Sequence, residues 1–395
     1  MTTQVFRGIT YTQQFIQESN ENFLGDESPD WFVVVGNNNV VNTGDSNDVV
    51  LLGRSIDFIF NIDTSIFSGE VLQTSPLPCS SNRINTLVST GRGDDYVSLG
   101  AGDSEIYLGS GNNFLDDYGG DYLFDADNNI IGLDGISKLF ASTGIGDDIF
   151  YLRGFADRTI NAGKGNNLIL LGAGEAKINT YSGNDVISSE VSLLTYISAN
   201  NLPSYNQTIN AGDGDNEIAM ISYGKTTIRT GYGDDFILGL GISGSTSTDI
   251  YADDGNNTII TNDTNSNIYS GLGNNLIFAG SGDDSIHVGN GNNLINLRGG
   301  TVCLPEALSK DTNLFDSSVD VIGGGNDKVY LGEGTDTVIL GSSGFATIYG
   351  FGYGDRLNLS GLNASLTQIG KDTLINSCGG SLAILKGYTG SVDLV

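Results

Sequence analysis

The chain has 395 residues and is strongly acidic: 47 Asp and Glu stand against 17 Lys and Arg, which gives a formal net charge of −30 at pH 7. Nucleic acids and anionic membrane surfaces are bound through basic patches, so this charge argues against both as partners. No apolar run approaches the length of a membrane span. The same charge opposes folding by self-repulsion, and we expect divalent cations to relieve it.

Residues 1–30 are interpreted as a polar, unrepetitive N-terminal extension. They contain neither the basic nor the apolar segment of a secretory signal peptide, so export by the general secretory route is not expected. Trp31, the single tryptophan, follows directly. We interpret it as a hydrophobic plug at the entry to the next domain rather than as a sugar-stacking platform.

A nine-residue repeat extends, with interruptions, over residues 31–340. Each repeat joins a Gly-x-Gly turn and two Asn or Asp residues to an inward aliphatic residue, as in the run from Gly91 to Val97. The aliphatic position recurs in three series: Val97, Ile106, Leu115 and Phe124; Ile160, Ile169, Ile178 and Ile187; and Ile259, Ile268, Ile277, Ile286 and Ile295. A disordered chain would not keep this register, which is typical of a solenoid of short strands.

These repeats resemble the calcium-binding nonapeptide repeats of the RTX (repeats-in-toxin, hemolysin-type) proteins. The resemblance implies an all-β fold: a parallel β-roll, or RTX-type β-solenoid, in which two repeats complete one coil. Loop insertions on the outside of the roll are expected near residues 54–88, 119–142, 188–207, 240–250 and 301–322. The Asn-rich turns also resemble RTX-type surface proteins of cyanobacteria.

The resemblance implies calcium, held between successive turns by main-chain carbonyls and by the acid just before the inward strand. The acids in that position are Asp48, Asp95, Asp148, Asp185, Asp235, Asp284, Asp327 and Asp336. In other turns the position is held by Asn113, Asn167, Asn216, Asn257, Asn275 and Asn293. An amide oxygen coordinates calcium without adding charge, so affinity is expected to fall there. For Asn257, Asn275 and Asn293, a hydrogen-bonded Asn ladder is an equal alternative.

Between residues 148 and 275 these turns alternate with degenerate ones, whose ligand position holds Arg158, Ala176, Gln207, Thr226, Thr248 or Ser266. Alternate turns of a two-repeat coil lie on opposite edges, so one edge is predicted to bind ions and the other is not. Successive ligand-bearing turns at Asp95 to Asn113, from Asn275 through Asp284 to Asn293, and at Asp327 and Asp336 predict binding on both edges there.

Residues 341–395 depart from the repeat and are predicted to form a C-terminal β cap. The stretch from Ile348 to Leu359, together with the strand-rich stretch that follows it to Gly387, resembles the segment that follows RTX repeats in proteins exported by type I secretion, although Gly350 replaces an acid of the common form. A plain polar cap over the last coil is the alternative. The resemblance implies an extracellular or cell-surface protein, secreted without an N-terminal signal peptide to a place where calcium can fill weak sites.

Catalytic chemistry finds little support in the sequence. His287 is the only histidine and is expected to point outward. Neither His-Glu-x-x-His nor Gly-x-Ser-x-Gly occurs. Cys79, Cys303 and Cys378 define neither a disulfide framework nor a zinc site, and a Cys79–Cys303 bridge and separate thiols both stay open.

We therefore expect a non-enzymatic, secreted, calcium-binding structural or surface protein that folds on calcium binding outside the cell. Self-assembly into a filament or surface layer is part of this hypothesis. The N-terminal extension is expected either to contact a neighbouring subunit or to fold over its own first coil. The alternative functions are an extracellular enzyme acting on acidic polysaccharide, similar to RTX-bearing epimerases, and an adhesin that binds glycans through outer loops.

Overall fold

The computed structural model describes residues 2–6, 9–16, 20, 22–34, 39–52, 86–100, 102–117, 122–124, 130–133, 136–189, 204–222, 224–241, 246–262, 264–303, 318–359 and 361–395. Every regular element among these residues is a β-strand. None of them forms a helix long and apolar enough to cross a membrane. The chain divides into two compact units: unit 1 is Met1–Ser182 with Ser192–Asn200, and unit 2 is Gly183–Val191 with Asn201–Val395.

Both units repeat the same path. From an Asp- or Asn-rich turn the chain enters a strand of sheet I, crosses to a strand of sheet II, and reaches the next such turn. Within each sheet, strands of successive coils pair in parallel, as Ile259 with Ile277 in sheet I and Ile250 with Ile268 in sheet II. We call the edge formed by these turns the ladder edge, and the edge where the chain passes from sheet I to sheet II the loop edge.

In unit 1, sheet I contains β1 (Thr2–Phe6), β2 (Ile9–Ile16), β4 (Asp30–Val34), β6 (Val49–Leu52), β8 (Tyr96–Leu99), β10 (Phe114–Asp117), the start of β14 (Ile149–Lys164) and β15 (Leu168–Ala173). Sheet II contains β3 (Asn22–Leu24), β5 (Asn39–Asn42), β7 (Thr86–Ser89), β9 (Ser104–Gly109), β13 (Ser137–Thr143), the end of β14 and β16 (Ala176–Ser182). A separate antiparallel hairpin joins β11 (Tyr122–Phe124) and β12 (Ile130–Leu133).

In unit 2, sheet I contains β17 (Val186–Ser189), β19 (Glu217–Ser222), β21 (Phe236–Gly241), β23 (Thr258–Thr261), β25 (Leu276–Phe278), β27 (Leu294–Asn296), β31 (Thr337–Ile339), β33 (Arg356–Asn358) and β37 (Asp393–Leu394). Sheet II contains β18 (Gln207–Gly212), β20 (Lys225–Thr230), β22 (Ser247–Ala252), β24 (Asn265–Ser270), β26 (Ser285–Val288), β30 (Asn326–Tyr330), β32 (Phe345–Tyr349), β34 (Ala364–Ile369), β35 (Asp372–Ser377) and β36 (Gly380–Leu385). The hairpin β28 (Gly299–Cys303) and β29 (Ser318–Ile322) is antiparallel.

The core of each unit is a double column of aliphatic side chains between the two sheets. In unit 2 the inward residues of sheet I include Ile259, Ile277 and Ile295, and all three are 0% exposed. β-Branched residues suit these short strands because their stiff side chains pack well on a pleated surface. The all-β parallel β-roll predicted from the sequence is thus confirmed. Phe124 is an exception to the predicted register, because it lies in the β11–β12 hairpin.

The predicted insertions each come after a strand of sheet I in sequence, and the described residues that flank them lie at the loop edge. Residues 53–85 follow β6, residues 118–121 follow β10, residues 190–203 follow β17 and residues 242–245 follow β21. The ladder edge carries no insertion within either unit. Cys79 lies outside the described residues, so the predicted alternatives for its pairing with Cys303 stay untested, whereas Cys378 is an exposed free thiol.

Both chain ends pack against coils of their own unit. β2 pairs in parallel with β4, and β1 folds back on β2, so the N-terminal strands extend sheet I of unit 1. The strand pairing therefore continues through the boundary predicted at residue 31, and Trp31 packs edge-on against Tyr11 at 5.9 Å between ring centroids. At the other end, β34, β35 and β36 form an antiparallel meander that joins sheet II through β32.

A column of aromatic rings runs along the outer face of sheet II in unit 2. Tyr251, Tyr269, His287, Tyr330 and Tyr349 occupy the same position in successive coils, with centroids 5.1, 4.6, 4.1 and 4.6 Å apart and planes within 13° of parallel. The Arg229 guanidinium lies 4.7 Å from the Tyr251 centroid. His287 does point outward, as predicted, and it links two pairs of tyrosines.

Candidate calcium-binding edge

The structure places all but two of the predicted ligand positions on the ladder edge. In unit 1 these are Asp48, Asp95, Asn113, Asp148 and Asn167, and in unit 2 they are Asp185, Asn216, Asp235, Asn257, Asn275, Asn293 and Asp336. Each is at most 2% exposed. Asp284 and Asp327 lie on the loop edge of unit 2. Burial of this many Asp and Asn side chains requires that their polar atoms find partners.

One partner is the main chain of the neighbouring coil. The N–H of Asp95 donates to Asn113 Oδ1 at 3.2 Å, and the N–H of Asn113 donates to Asp148 Oδ1 at 2.8 Å. Unit 2 contains bonds of the same kind, in which the N–H of Asp235 donates to Oδ1 of the following ladder residue, Asn257, at 3.0 Å. We call this series the inner ladder. Asp30 in unit 1 and Asp355 in unit 2, which the sequence did not indicate, make bonds of the same kind to Asp48 and Asp336.

The residue just before each inner position forms a second, outer ladder with the opposite direction. The N–H of Asn112 donates back to Asp94 Oδ1 at 2.7 Å, and that of Asn256 donates back to Asp234 Oδ1 at 2.6 Å. These side chains are exposed, unlike those of the inner ladder. Sequence analysis missed this ladder, although the paired Asp and Asn of each turn was its visible signal. Together the two ladders tie each turn to the turns on both sides.

Close stacking of the turns explains the second glycine of the Gly-x-Gly motif. Gly111 has φ +134°, and a Cβ placed there would lie 1.8 Å from the carbonyl oxygen of Gly93 in the preceding coil. A side chain is therefore excluded both by the backbone conformation and by the neighbouring turn. The carbonyl oxygens of these glycines are brought to the same edge as the inner ladder.

The inner-ladder carboxylates keep one oxygen without a hydrogen-bond donor. Among the described residues, no donor reaches the buried Oδ2 atoms of Asp48, Asp95, Asp148, Asp235 and Asp336. Burial raises the pKa of Asp95 to about 7 and that of Asp235 to about 6. A buried carboxylate without a partner is costly, so either a proton or a cation must neutralise it.

A threonine accompanies each ladder-edge aspartate from Asp48 to Asp235, Asp185 included. It lies five residues earlier, at Thr43, Thr90, Thr143, Thr180 and Thr230. The Thr90 hydroxyl donates its single proton to the Leu108 carbonyl at 3.0 Å, so this proton is not available to the Asp95 carboxylate. At the Asn positions the same place holds Leu108, Ala162, Ala211, Ala252, Ser270 or Val288. This pairing of Thr with Asp is a feature of the sequence that distinguishes these Asp turns from the Asn turns.

The loop edge carries the degenerate positions in the predicted order. Arg158 pairs with Ala176 in unit 1, and Gln207, Thr226, Thr248 and Ser266 follow one another in unit 2. Two carboxylates come next: the N–H of Ser266 donates to Asp284 Oδ1 at 2.8 Å, and the N–H of Asp284 donates to Asp327 Oδ1 at 3.1 Å. Both edges therefore carry carboxylates in this part of unit 2, as predicted.

The same prediction for the segment from Asp95 to Asn113 was wrong. Asp95 and Asn113 are hydrogen-bonded neighbours on the ladder edge. They are 18 residues apart in sequence, which is one full coil of two repeats. The turn between them on the loop edge holds Asp103, whose Oδ1 accepts the N–H of Lys138 at 3.0 Å.

The donor set of the ladder edge fits calcium. Calcium prefers six to eight oxygen ligands from carboxylates, amides and main-chain carbonyls in flexible geometry. Among the described residues, no three His, Cys, Asp or Glu side chains converge on one point. Carbonyl oxygens of the stacked turns would therefore have to complete any site, beside the orphaned Oδ2 of an inner-ladder aspartate. Such an all-oxygen set suits calcium rather than a softer metal.

Comparison with known families agrees with this geometry. The family model of the RTX calcium-binding nonapeptide repeat, which covers four copies of the repeat, matches residues 24–59, 85–116, 159–187, 243–277, 251–286, 260–295 and 323–344. No curated protein matches the chain. Asp148, Asn216 and Asp235 fall between the matched segments, yet they belong to the same inner ladder as the matched turns. The matched segments are thus RTX calcium-binding nonapeptide repeats, and the ion that such repeats bind is calcium.

Proposed function

We propose that the chain is a secreted structural protein whose β-roll folds when calcium fills the ladder edge outside the cell. One observation carries this proposal: the inner-ladder aspartates bury a carboxylate oxygen that has no donor among the described residues. With a net charge of −30, the chain also gains from binding cations as it compacts. An ion that binds the folded chain alone stabilises it by mass action.

Hydrodynamic radius and circular dichroism test this proposal. In chelator we expect an expanded chain, and in millimolar calcium a compact one with a stronger β signal. Magnesium at the same concentration is the control, because its octahedral preference and reluctance to lose water make it a poor fit to carbonyl-rich turns. Equal radius and equal spectra with calcium and with chelator would contradict the proposal.

Export by a type I route belongs to the same proposal. RTX repeats support secretion as a class, and low intracellular calcium would keep the exported chain unfolded until it leaves the cell. The meander β34–β36 caps sheet II of unit 2 and is contained in the segment that resembles such export signals. Deleting residues 341–395 should abolish secretion in a type I host, whereas deletion of residues 2–16 should not.

Self-assembly is proposed through the free edge of β34. This strand pairs with β35 on one side, five of its residues are exposed, and Leu366 and Ile369 are 42% and 51% exposed. An apolar edge strand with unpaired main-chain groups is a template for a second copy. Leu366→Lys should lower the extent of calcium-induced assembly in light scattering, with Leu394→Lys as the matched control on another strand. If Leu366→Lys assembles to the same extent as wild type, the proteins do not associate through β34.

Glycan binding is a second candidate, favoured by an open groove of about 430 Å³ on the outer face of sheet II in unit 1. Its lining includes Phe140, Asp103, Glu105 and Lys138, a mixture of aromatic and polar groups that suits a small polar ligand. Binding of uronic-acid and neutral oligosaccharides to wild type and to Phe140→Ala tests this candidate. Cleavage or epimerisation of these saccharides would instead support the alternative that the protein is an enzyme.

A further inference from the structure

The Asn turns of the ladder edge differ from the Asp turns in what their side chains donate. Asn216 Nδ2 donates to the carbonyls of Gly212 and Gly214 in its own turn, at 3.2 and 3.0 Å. It also donates to Asp235 Oδ1 in the next coil, at 3.1 Å. One amide group therefore draws together three oxygen atoms from two successive turns.

The same arrangement recurs along both units. Asn113 Nδ2 donates to the Gly111 carbonyl at 3.0 Å and to Asp148 Oδ1 at 2.9 Å. Asn293 Nδ2 donates to the Gly289 carbonyl at 3.2 Å and to Asp336 Oδ1 at 2.9 Å. The remaining Asn positions make bonds of the same kind to carbonyls of their own turns: Asn167 to Gly165, Asn257 to Asp253 and Gly255, and Asn275 to Gly271 and Gly273.

Aspartate cannot make these bonds, because an ionised carboxylate carries no N–H. In the Asp235 turn, the carbonyl that corresponds to Gly214 is that of Gly233, and the carboxylate leaves it without a side-chain donor. When ionised, the Asp turns thus present an all-acceptor set of oxygens, which a cation can satisfy. In the Asn turns, the side-chain Nδ2 already donates hydrogen bonds to the corresponding oxygens.

On the loop edge of unit 1, a charged side chain supplies such a donor. The Arg158 guanidinium is buried, with 3% of the residue exposed. It donates to Asp117 Oδ2 at 3.1 Å, to the Ala173 carbonyl at 3.1 Å and to the Arg153 carbonyl. A carboxylate and main-chain carbonyls are the ligands that calcium takes in proteins, and here a side chain of the protein holds them.

We propose that the Asn side-chain amides, and Arg158 on the loop edge, take the place of calcium, so that ions bind at the Asp turns and not at the Asn turns. This inference rests on the proposed calcium-dependent folding and names which turns respond to the ion. It has a consequence for unit 2, where Asn257, Asn275 and Asn293 occupy three successive coils. The ladder edge of that stretch needs no calcium, so residues 258–278, which precede Asp284 on the loop edge, are expected to remain ordered when calcium is removed.

Matched substitutions within one turn test the inference. Asn275→Asp removes the donating amide of the inner ladder, and Asn274→Asp adds the same charge one residue earlier, on the exposed outer ladder. Bound calcium per chain is counted by native mass spectrometry after folding in calcium is verified by circular dichroism. Asn275→Asp is expected to bind one more ion than wild type and to be less stable than wild type in chelator. Asn274→Asp should bind the wild-type number.

The reverse substitution covers the case in which Asn275→Asp does not fold. Asp235→Asn supplies an amide where the ladder has a carboxylate, and it is expected to bind one ion fewer and to fold at lower calcium concentration than wild type. An unchanged ion count in Asp235→Asn, or an equal gain in Asn274→Asp and Asn275→Asp, overturns the inference. Failure of the proposed function looks different: the wild-type protein would then bind no calcium and would fold in chelator.

Hydrogen exchange in chelator gives an independent readout. Amides of residues 258–278 are expected to exchange at least about tenfold more slowly than those around Asp95 and Asp148, because local stability sets exchange protection. Equal protection of both regions, or stronger protection around Asp95, contradicts the claim that the Asn coils are independent of the ion.

Discussion

Asp284 and Asp327 stack in successive coils of the loop edge, with the N–H of Asp284 bonded to Oδ1 of Asp327 at 3.1 Å. Burial and the Asp327 charge raise the pKa of Asp284 to about 8, and burial raises the pKa of Asp327 to about 7. Without an ion, each is therefore partly protonated near neutral pH. Protons and calcium compete for these carboxylates, and the competition fixes how stability responds to pH.

The calcium-free protein is expected to become more stable as the pH falls from about 8 to about 5, by up to about 1.4 kcal/mol per pH unit for each raised carboxyl. The carboxyls have a pKa near 3.8 when unfolded and about 6 to 8 when folded, so the folded chain holds protons that the unfolded chain has released. This stability is fully present below the unfolded pKa and is lost as the pH rises through the folded values. Circular dichroism of the chelated protein at several pH values measures the gain in folded structure as the pH falls. With saturating calcium the slope should reverse, and the same negative slope in both conditions would contradict competition for one site.

Asp235→Ala is expected to weaken calcium binding by about tenfold or more at its turn, because it removes the charged ligand. Asp185→Ala should behave in the same way. Thr226→Ala is the control on the loop edge, where the hydroxyl makes a long bond of 3.4 Å to Gln207 Oε1. Calcium titrations followed by circular dichroism should give nearly the wild-type midpoint for Thr226→Ala. A similar shift of the calcium midpoint for Asp235→Ala and Thr226→Ala would show that calcium does not bind preferentially at the ladder edge.

Gly291→Ala should destabilise the roll strongly, and Gly300→Ala should do so mildly. The two glycines have similar φ values, +152° and +146°, so the conformational cost of alanine, about 1–3 kcal/mol, is shared. A Cβ at Gly291 would lie 1.8 Å from the Gly273 carbonyl oxygen, whereas a Cβ at Gly300 meets nothing within 4 Å. Unfolding in urea with calcium present measures both variants. Equal losses would mean that turn stacking adds nothing to the requirement for glycine.

Tyr269→Ala should destabilise unit 2 by about 1–3 kcal/mol, because the ring stacks on both Tyr251 and His287 and each aromatic pair contributes about 0.5–1.5 kcal/mol. Tyr269→Phe keeps the stacking and should remain within about 0.5 kcal/mol of wild type. Tyr232→Ala, at a tyrosine that is 65% exposed, serves as the control. If Tyr269→Ala lowers the free energy of unfolding no more than Tyr232→Ala does, the stacked column does not contribute to stability.

The nine-residue period predicted the roll because it acts through local rules. Glycine at a positive-φ turn and an aliphatic residue at the inward strand position, as at Gly273 and Ile277, leave little choice of conformation for each repeat. The same rules predicted that the Asp and Asn residues lie in turns at an edge of the roll. Their alternation with the turns at Thr226 and Ser266 correctly predicted that the two kinds of turn lie on opposite edges. The donor role of Asn216 was open from sequence, because an amide can equally accept through oxygen or donate through nitrogen.

The sequence did not predict which ladder residues are hydrogen-bonded to each other when an insertion separates them. Asp48 donates to Asp95 Oδ1 across 47 residues, and Asn293 donates to Asp336 Oδ1 across 43, because stacking in space continues whatever the length of the loop between two coils. The opposite directions of the two ladders at Asp234 and Asp235 likewise depend on how each turn sits against its neighbours. The amino-acid sequence by itself determined the repeat, the inward column and the acidic turns, since these are properties of single repeats. Only the tertiary structure decided which turns face each other, which oxygens are left for an ion and which are held by an amide, since those depend on contacts between repeats.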